Sequence, residues 1–204
     1  DVLADPLLWM RTLAVHRATH SWAPNFGFKL VVNALREATP PDTTAGPLSV
    51  DLTALRRLMN AGEQVTTDVC DAFIAALGLR PNVMQPAFGM AEACTCMTYN
   101  NEYGARPSLA ITKASLSGPR LVVADGDAEA ASWPREAQVM RFVDLGAPSP
   151  GVELRIARDG GPNVLDELQV GHLQIRGPCV MLGYHDNPVA NSECYPGDGW
   201  FDSG

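Results

Sequence analysis

Two apolar periods run along this chain, one helical and one of alternating positions. In residues 1–19, Leu7, Leu8, Met10, Leu13 and Ala14 recur at helical spacing, and Asp5-Pro6 supplies a start signal. His20-Ser21-Trp22-Ala23-Pro24 reads as a short strand closed by proline, and residues 26–37 as a second helix. The proline-rich stretch 39–47 predicts a loop. Asp51 caps a segment carrying Leu52, Leu55 and Leu58, which runs into a turn over 59–63. Residues 66–77 predict another amphipathic helix, with Gly78 at its carboxyl cap. Residues 82–87 predict a strand that ends in Phe88-Gly89-Met90-Ala91-Glu92. Helices alternating with short apolar strands imply a mostly parallel α/β sheet.

Beyond about residue 105 the texture changes. Residues 121–124, 139–143, 152–156 and 173–176 read as short strands, several of them alternating apolar and polar side chains between Gly/Pro turns. This half is expected to be antiparallel and β-rich, a small distorted barrel, with 115–136 as a surface insertion. The expected division is an α/β subdomain over 1–105 and a β-rich subdomain over 106–204. No internal repeat is found.

Composition narrows the class. The chain has 204 residues, 46% hydrophobic and 19% charged, too apolar for disorder and long enough for a buried core. No apolar run approaches the ~20 residues of a bilayer span. Lys plus Arg is 15 and Asp plus Glu is 23, a net charge of −8 without a basic cluster, so neither nucleic acid nor an anionic membrane is an expected partner. Five cysteines, an odd number in a chain of this size, suit reduced thiols in the cytoplasm. Cys94-x-Cys96 has no second Cys or His pair at zinc spacing, which favours a structural role. An opening at Asp1 and an ending at Gly204 read as cuts within a longer protein.

The segment with most chemical content is Gln85-Pro86-Ala87-Phe88-Gly89-Met90-Ala91-Glu92. Open α/β sheets bind ligands at the carboxyl ends of their strands. A glycine lets a ligand approach the backbone, an aromatic ring such as Phe88 can stack on a base, and a carboxylate such as Glu92 is a hard oxygen ligand for Mg²⁺. The same octet is also compatible with a core Phe88 and a helix-capping Glu92. His16, His20 and His185 fall on a helix face, a strand start and a turn, and no Ser-His-Asp arrangement follows from spacing. Trp9, Trp133 and Trp200 read as packing residues.

Two further segments join the octet in order: Gly171-His172-Leu173-Gln174-Ile175-Arg176-Gly177-Pro178, with Gly183, Tyr184 and Asn187-Pro188 following, and Asp198-Gly199-Trp200-Phe201-Asp202-Ser203-Gly204. The ordered set, spread over nearly the whole chain, resembles the adenylate-forming superfamily of acyl-CoA synthetases, fatty acyl-AMP ligases and peptide-synthetase adenylation domains. The acyl-AMP ligase branch, including ligases that load polyketide and hybrid peptide synthases, is resembled most. Arg17-Ala18-Thr19-His20-Ser21-Trp22-Ala23-Pro24-Asn25-Phe26-Gly27-Phe28, Leu58-Met59-Asn60-Ala61-Gly62-Glu63, Val143-Asp144-Leu145-Gly146-Ala147-Pro148-Ser149-Pro150-Gly151 and Met97-Thr98-Tyr99-Asn100 carry that likeness.

The resemblance implies the second half of an adenylate-forming amino-terminal domain, in which a carboxylic acid reacts with ATP to give acyl-adenylate and pyrophosphate. A thiol then accepts the acyl group: the phosphopantetheine of an acyl carrier protein, or CoA. It implies Glu92 as the catalytic Mg²⁺ ligand, Phe88, Gly89, Met90 and Ala91 beside the nucleotide, and Ala61, Gly62 and Glu63 along the adenine and acyl side. Trp22, Asn25 and Phe26 are implied walls of the acid pocket, with fatty or aryl acids expected. An amino-acid-activating domain, an acyl-CoA synthetase and an inactive binding module stay open as alternatives. Ala91 stands where the superfamily commonly has a phosphate-contacting Thr, and His172 where it commonly has Glu, at a position expected to be surface. The phosphate loop is expected before Asp1, and the ribose-binding Asp and the lysine-bearing domain after Gly204. The isolated 204 residues are therefore expected to be inactive.

Overall fold

The computed structural model describes residues 1–38, 50–106, 108–124 and 139–204. The loop expected at 39–47, Trp133 and the later part of the 115–136 insertion lie outside the described residues. The chain folds as two units that exchange segments. One comprises Asp1–Phe88, Tyr99–Ser108 and Val143–Gly146, the other Gly89–Thr98, Leu109–Phe142 and Ala147–Gly204.

The first unit runs α1 (Leu7–Val15), β1 (His20–Ala23), α2 (Asn25–Ala38), β2 (Arg57–Asn60), α3 (Thr67–Leu77) and β3 (Met84–Gly89), whose last residue opens the second unit. β1 pairs with β2 and β2 with β3, both parallel, through Ala23 opposite Asn60 and Asn60 opposite Pro86. The helical stripe of α2 buries Phe28, Val31, Val32 and Leu35. Phe28 meets the edge of Trp9 at 5.3 Å and of Phe73 at 5.0 Å, so an aromatic cluster joins α1, α2 and α3. Trp9 is thus a packing residue. Around it lie Met10, Leu58, Cys70 and Met84. Burial pushes the Cys70 thiol up to about 12.

Helix α1 is shorter than its sequence pattern. It ends where Arg17 enters the left-handed region (φ 48°) and the Ala18 N–H reaches back to the Leu13 carbonyl at 2.9 Å. Helix α3 ends as expected, on Gly78 at φ 61°. The 51–58 segment is not a capped helical run. A turn closed by Leu55 N–H to the Leu52 carbonyl leads into β2, which takes in Met59 and Asn60 from the expected turn. Leucines three apart fit a turn followed by extended chain as well as a helix, and four strand residues are too few for a period to decide.

The second unit is β-rich. After β4 (Cys96–Tyr99) come β5 (Leu109–Thr112), β6 (Val139–Phe142), β7 (Ala147–Pro148), β8 (Glu153–Ala157), β9 (His172–Arg176), α4 (Pro188–Cys194) and β10 (Phe201–Asp202). β5 and β6 pair antiparallel, and β9 lies between β8 and β10, antiparallel to both. The strand expected at 121–124 contributes a single bridge, Ile111 to Val123. Among the described residues the β5–β6 pair and the β8–β9–β10 sheet are separate, without one continuous closed ladder. Also among the described residues, no helix is long and apolar enough to cross a membrane.

Candidate functional site

In the first unit, the register sets the carboxyl ends of β1 and β2 level, with β3 running on past Pro86, and all three lead into segments singled out by sequence. Past β1 come Asn25 and Phe26, past β2 come Ala61, Gly62 and Glu63, and β3 carries Phe88. Trp22 is 73% and Phe26 49% exposed, large apolar faces left open at this edge. Phe88 is half-buried, so it is neither a core ring nor a free one.

Asn25, expected at the acid pocket, also has partners inside the protein. It is buried, its Oδ1 accepts from Asn60 Nδ2 at 3.0 Å and from Thr66 N–H at 3.3 Å, and its Nδ2 donates to Thr66 Oγ1 at 3.3 Å. Its amide ties β2 and the start of α3 to the start of α2. Glu63 also has an internal partner: its Oε1 accepts from Phe26 N–H at 2.5 Å, at the positive end of α2. Gly62 has a φ of +93°, and an added Cβ would meet no atom within 4 Å, so the backbone there is open to close approach.

In the second unit, Gly89 is fixed by packing. A Cβ at Gly89 would stand 1.8 Å from the Thr95 carbonyl oxygen. Past Gly89 the chain runs through Met90 and a 3₁₀ turn, Ala91–Ala93, and brings the Thr95–Cys96 backbone back against Gly89, with exposed Ala91 ahead of Glu92. The Glu92 carboxylate caps no helix. Its Oε1 accepts from the Tyr184 hydroxyl at 2.9 Å, its carbonyl accepts from Met181 N–H at 2.7 Å, and its Oε2 has no partner among the described residues. Donating to Glu92 raises the Tyr184 hydroxyl above the usual phenol range.

A sequence model of the AMP-binding enzyme family matches residues 1–185. The chain belongs to the AMP-binding enzyme family. It is 30% identical to the nonribosomal peptide synthetase atqA of Aspergillus terreus over 207 aligned positions, covering all of this chain and 18% of that protein. It is 29% identical to the microperfuranone synthase of Emericella nidulans, again over 100% of this chain and 18% of the relative. The chain thus spans about a fifth of the curated relatives it matches. Among solved structures, the adenylation domain of a keto acid-selecting NRPS module bound to keto acyl adenylate superposes with a TM-score of 0.84 at 32% identity, over 100% of this chain and 35% of that one. A fatty acyl-adenylate ligase structure, from work on the E. coli and L. pneumophila enzymes, shares the fold with a TM-score of 0.79 at 24% identity, over 100% and 34%.

The donor set bears on what an AMP-binding enzyme could hold here. Among the described residues no three His, Cys, Asp or Glu side chains cluster as a metal cage. A single carboxylate with one open oxygen suits Mg²⁺, which keeps waters and shares phosphate oxygens, better than a metal needing three or four protein ligands. Cys94 and Cys96 form no disulfide.

Two residues carry more than their sequence reading gave them. Tyr184 stood in a quoted motif without a role. His172, expected on the surface, has its Nδ1 3.1 Å from Asp202 Oδ1. Asp202 is buried and also accepts from Gln174 Nε2 at 2.9 Å and Gly204 N–H at 2.9 Å. Burial pushes its carboxyl up, but these hydrogen bonds outweigh that and hold it below the ordinary range. Trp200 is a packing residue, with the Arg155 and Arg176 guanidinium carbons 4.2 and 4.6 Å from its ring centroid.

Proposed function

We propose that the parent protein of this chain is an AMP-forming acid–thiol ligase. It couples a carboxylic acid to ATP, releasing pyrophosphate and forming an acyl-adenylate, and passes the acyl group to the phosphopantetheine thiol of a carrier protein. CoA is the alternative acceptor. A carboxylate is a poor acylating agent until it becomes a mixed anhydride, so the protein's work is positioning and charge neutralisation. The observation that carries this reading is the Glu92 carboxylate, on the loop after β3, with Oε1 held by Tyr184 and Oε2 unpartnered among the described residues. Magnesium held by Glu92 would neutralise charge on the triphosphate. Phe88 and Gly89 would flank the adenine, Met90 and Ala91 would carry the backbone past the phosphates, and Ala61, Gly62 and Glu63 would line the adenine and acyl side. Ala91 offers no hydroxyl, so that phosphate contact comes from elsewhere or is lacking.

The acid is one without an α-ammonium group. Recognition of a buried ammonium requires a carboxylate partner. The stretch from Trp22 to Phe28 contains none. The exposed faces of Trp22 and Phe26 suit an apolar chain or ring. Fatty, aryl and 2-oxo acids meet both conditions, and the keto acid-selecting adenylation domain is a relative in keeping with the last of these. Five cysteines that form no disulfide among the described residues are in keeping with a cytoplasmic protein. The test is ATP–pyrophosphate exchange by the intact parent over matched acids, such as phenylpropionate, phenylpyruvate and phenylalanine, with a fatty acid alongside. Exchange with acids lacking the amino group is expected. A sharp preference for one α-amino acid would move the protein to the amino-acid-activating class, and no exchange with any acid would favour an inactive binding module.

A further inference from the structure

Glu92 is held twice by one loop of its own unit. Met181 N–H reaches its carbonyl at 2.7 Å, and the Tyr184 hydroxyl reaches Oε1 at 2.9 Å. That loop is itself fixed. Asn191, in α4, accepts from Tyr184 N–H at 2.7 Å and donates to the Tyr184 carbonyl at 2.9 Å. Gly183, at φ +151°, lets it come close, since a Cβ there would lie 2.9 Å from Asn191 Oδ1. The Asn187 side chain caps α4 by accepting from Ala190 N–H at 3.2 Å, and the Tyr195 hydroxyl donates to the Met181 carbonyl. A hydrogen-bonded path therefore runs from α4 through Asn191 and Tyr184 to one oxygen of Glu92.

The two oxygens of a carboxylate compete. A free Glu92 side chain would rotate about its terminal bond and present either oxygen, or both, to a cation. A neutral hydroxyl on Oε1 removes that freedom without removing the negative charge. We propose that Tyr184 is a positioning residue for Glu92, occupying Oε1 so that Oε2 is the oxygen offered to the divalent cation. This rests on the reading of Glu92 as the Mg²⁺ ligand. The competing structural account is that Tyr184 merely pins the 181–184 loop onto the 91–93 turn. That account places its effect on stability and none on the cation.

The test uses the intact parent with Tyr184→Phe, which keeps the ring and deletes the hydroxyl. Binding of a non-hydrolysable ATP analogue is followed by titration calorimetry at increasing Mg²⁺, beside the thermal midpoint of the protein without ligand. The expected result is a Mg²⁺ half-saturation raised about three- to tenfold, the scale of the net contribution of one hydrogen bond, with the thermal midpoint near the parent's. Glu92→Gln should raise it further, and the double variant should match Glu92→Gln alone. Asn191→Ala, which leaves Tyr184 and Glu92 in place but loosens the path between them, should give a smaller rise, and serves if Tyr184→Phe does not fold. If Glu92→Gln shifts the Mg²⁺ dependence and neither Tyr184→Phe nor Asn191→Ala does, the positioning role is wrong and the reading of Glu92 stands. If Glu92→Gln itself leaves the Mg²⁺ dependence at the parent's, that reading fails and the positioning role fails with it.

Discussion

The Asn60 side-chain amide donates to Asn25 Oδ1 at 3.0 Å, and both residues are buried, one ending β2 and the other just past β1. This bond joins two of the segments at the strand ends of the first unit. Asn25→Ala would remove it together with both bonds to Thr66, leaving the Asn60 amide only its 3.5 Å approach to Cys70 Sγ. Leaving buried polar groups unpaired costs about 1–3 kcal/mol. The expected outcome is faster hydrogen–deuterium exchange in a peptide spanning 57–60 of the intact parent. Unchanged exchange would mean that the Asn25 amide does not hold this edge together.

Gly89 and Gly62 should respond to alanine in opposite ways. At Gly89 the new Cβ meets the Thr95 carbonyl at 1.8 Å, so the backbone must move and the 90–96 loop should lose its protection from proteolysis. At Gly62 nothing lies within 4 Å, and the cost is that of a left-handed residue, about 1–2 kcal/mol. Gly62→Ala should therefore fold and weaken nucleotide or acid binding. Limited proteolysis and calorimetry on the two variants separate the outcomes.

Asp202 gives a pH dependence with a definite sign. Its folded-state carboxyl lies below its ordinary value of 3.8. A depressed carboxyl stabilises the fold above the unfolded value, and that contribution fades as pH falls through 3.8 toward the lower folded value. The gap in urea midpoint between the parent and Asp202→Asn should therefore be widest near neutral pH and close below pH 3.8. A gap independent of pH would mean that the Gln174 and His172 contacts do not hold the charge.

How far the sequence could be read depends on range. Helix α2 was legible because Phe28, Val31, Val32 and Leu35 repeat over about two turns and are all buried. Gly78 was legible because a left-handed cap selects glycine locally. Strand β2 was not, because it is four residues long and buries the polar Asn60 beside Leu58, against the usual apolar alternation. The structural role of Asn25 was not legible for a related reason. A polar side chain beside aromatic ones reads as a ligand contact, and only the folded chain shows its bonds to Asn60 and Thr66. The loop at Phe88–Glu92 was recognisable as a motif, but the partner of Glu92 lies 92 residues later in the chain, beyond any local pattern. The pairing of His172 with Asp202 spans 30 residues and was hidden in the same way.

The most direct test of the proposed chemistry is the rate of acid-dependent ATP–pyrophosphate exchange by intact Glu92→Gln against the parent, using the acid the parent activates. Glutamine keeps the shape of the side chain and can still accept from the Tyr184 hydroxyl, but it removes the charge offered to the cation. Loss of one such electrostatic contact in the transition state costs roughly 10²–10³ in rate. A fall of about that size, in a variant with the parent's thermal midpoint, is the predicted result. An exchange rate and Mg²⁺ dependence close to the parent's would contradict the account, and would leave Glu92 as a residue that only anchors the 181–184 loop.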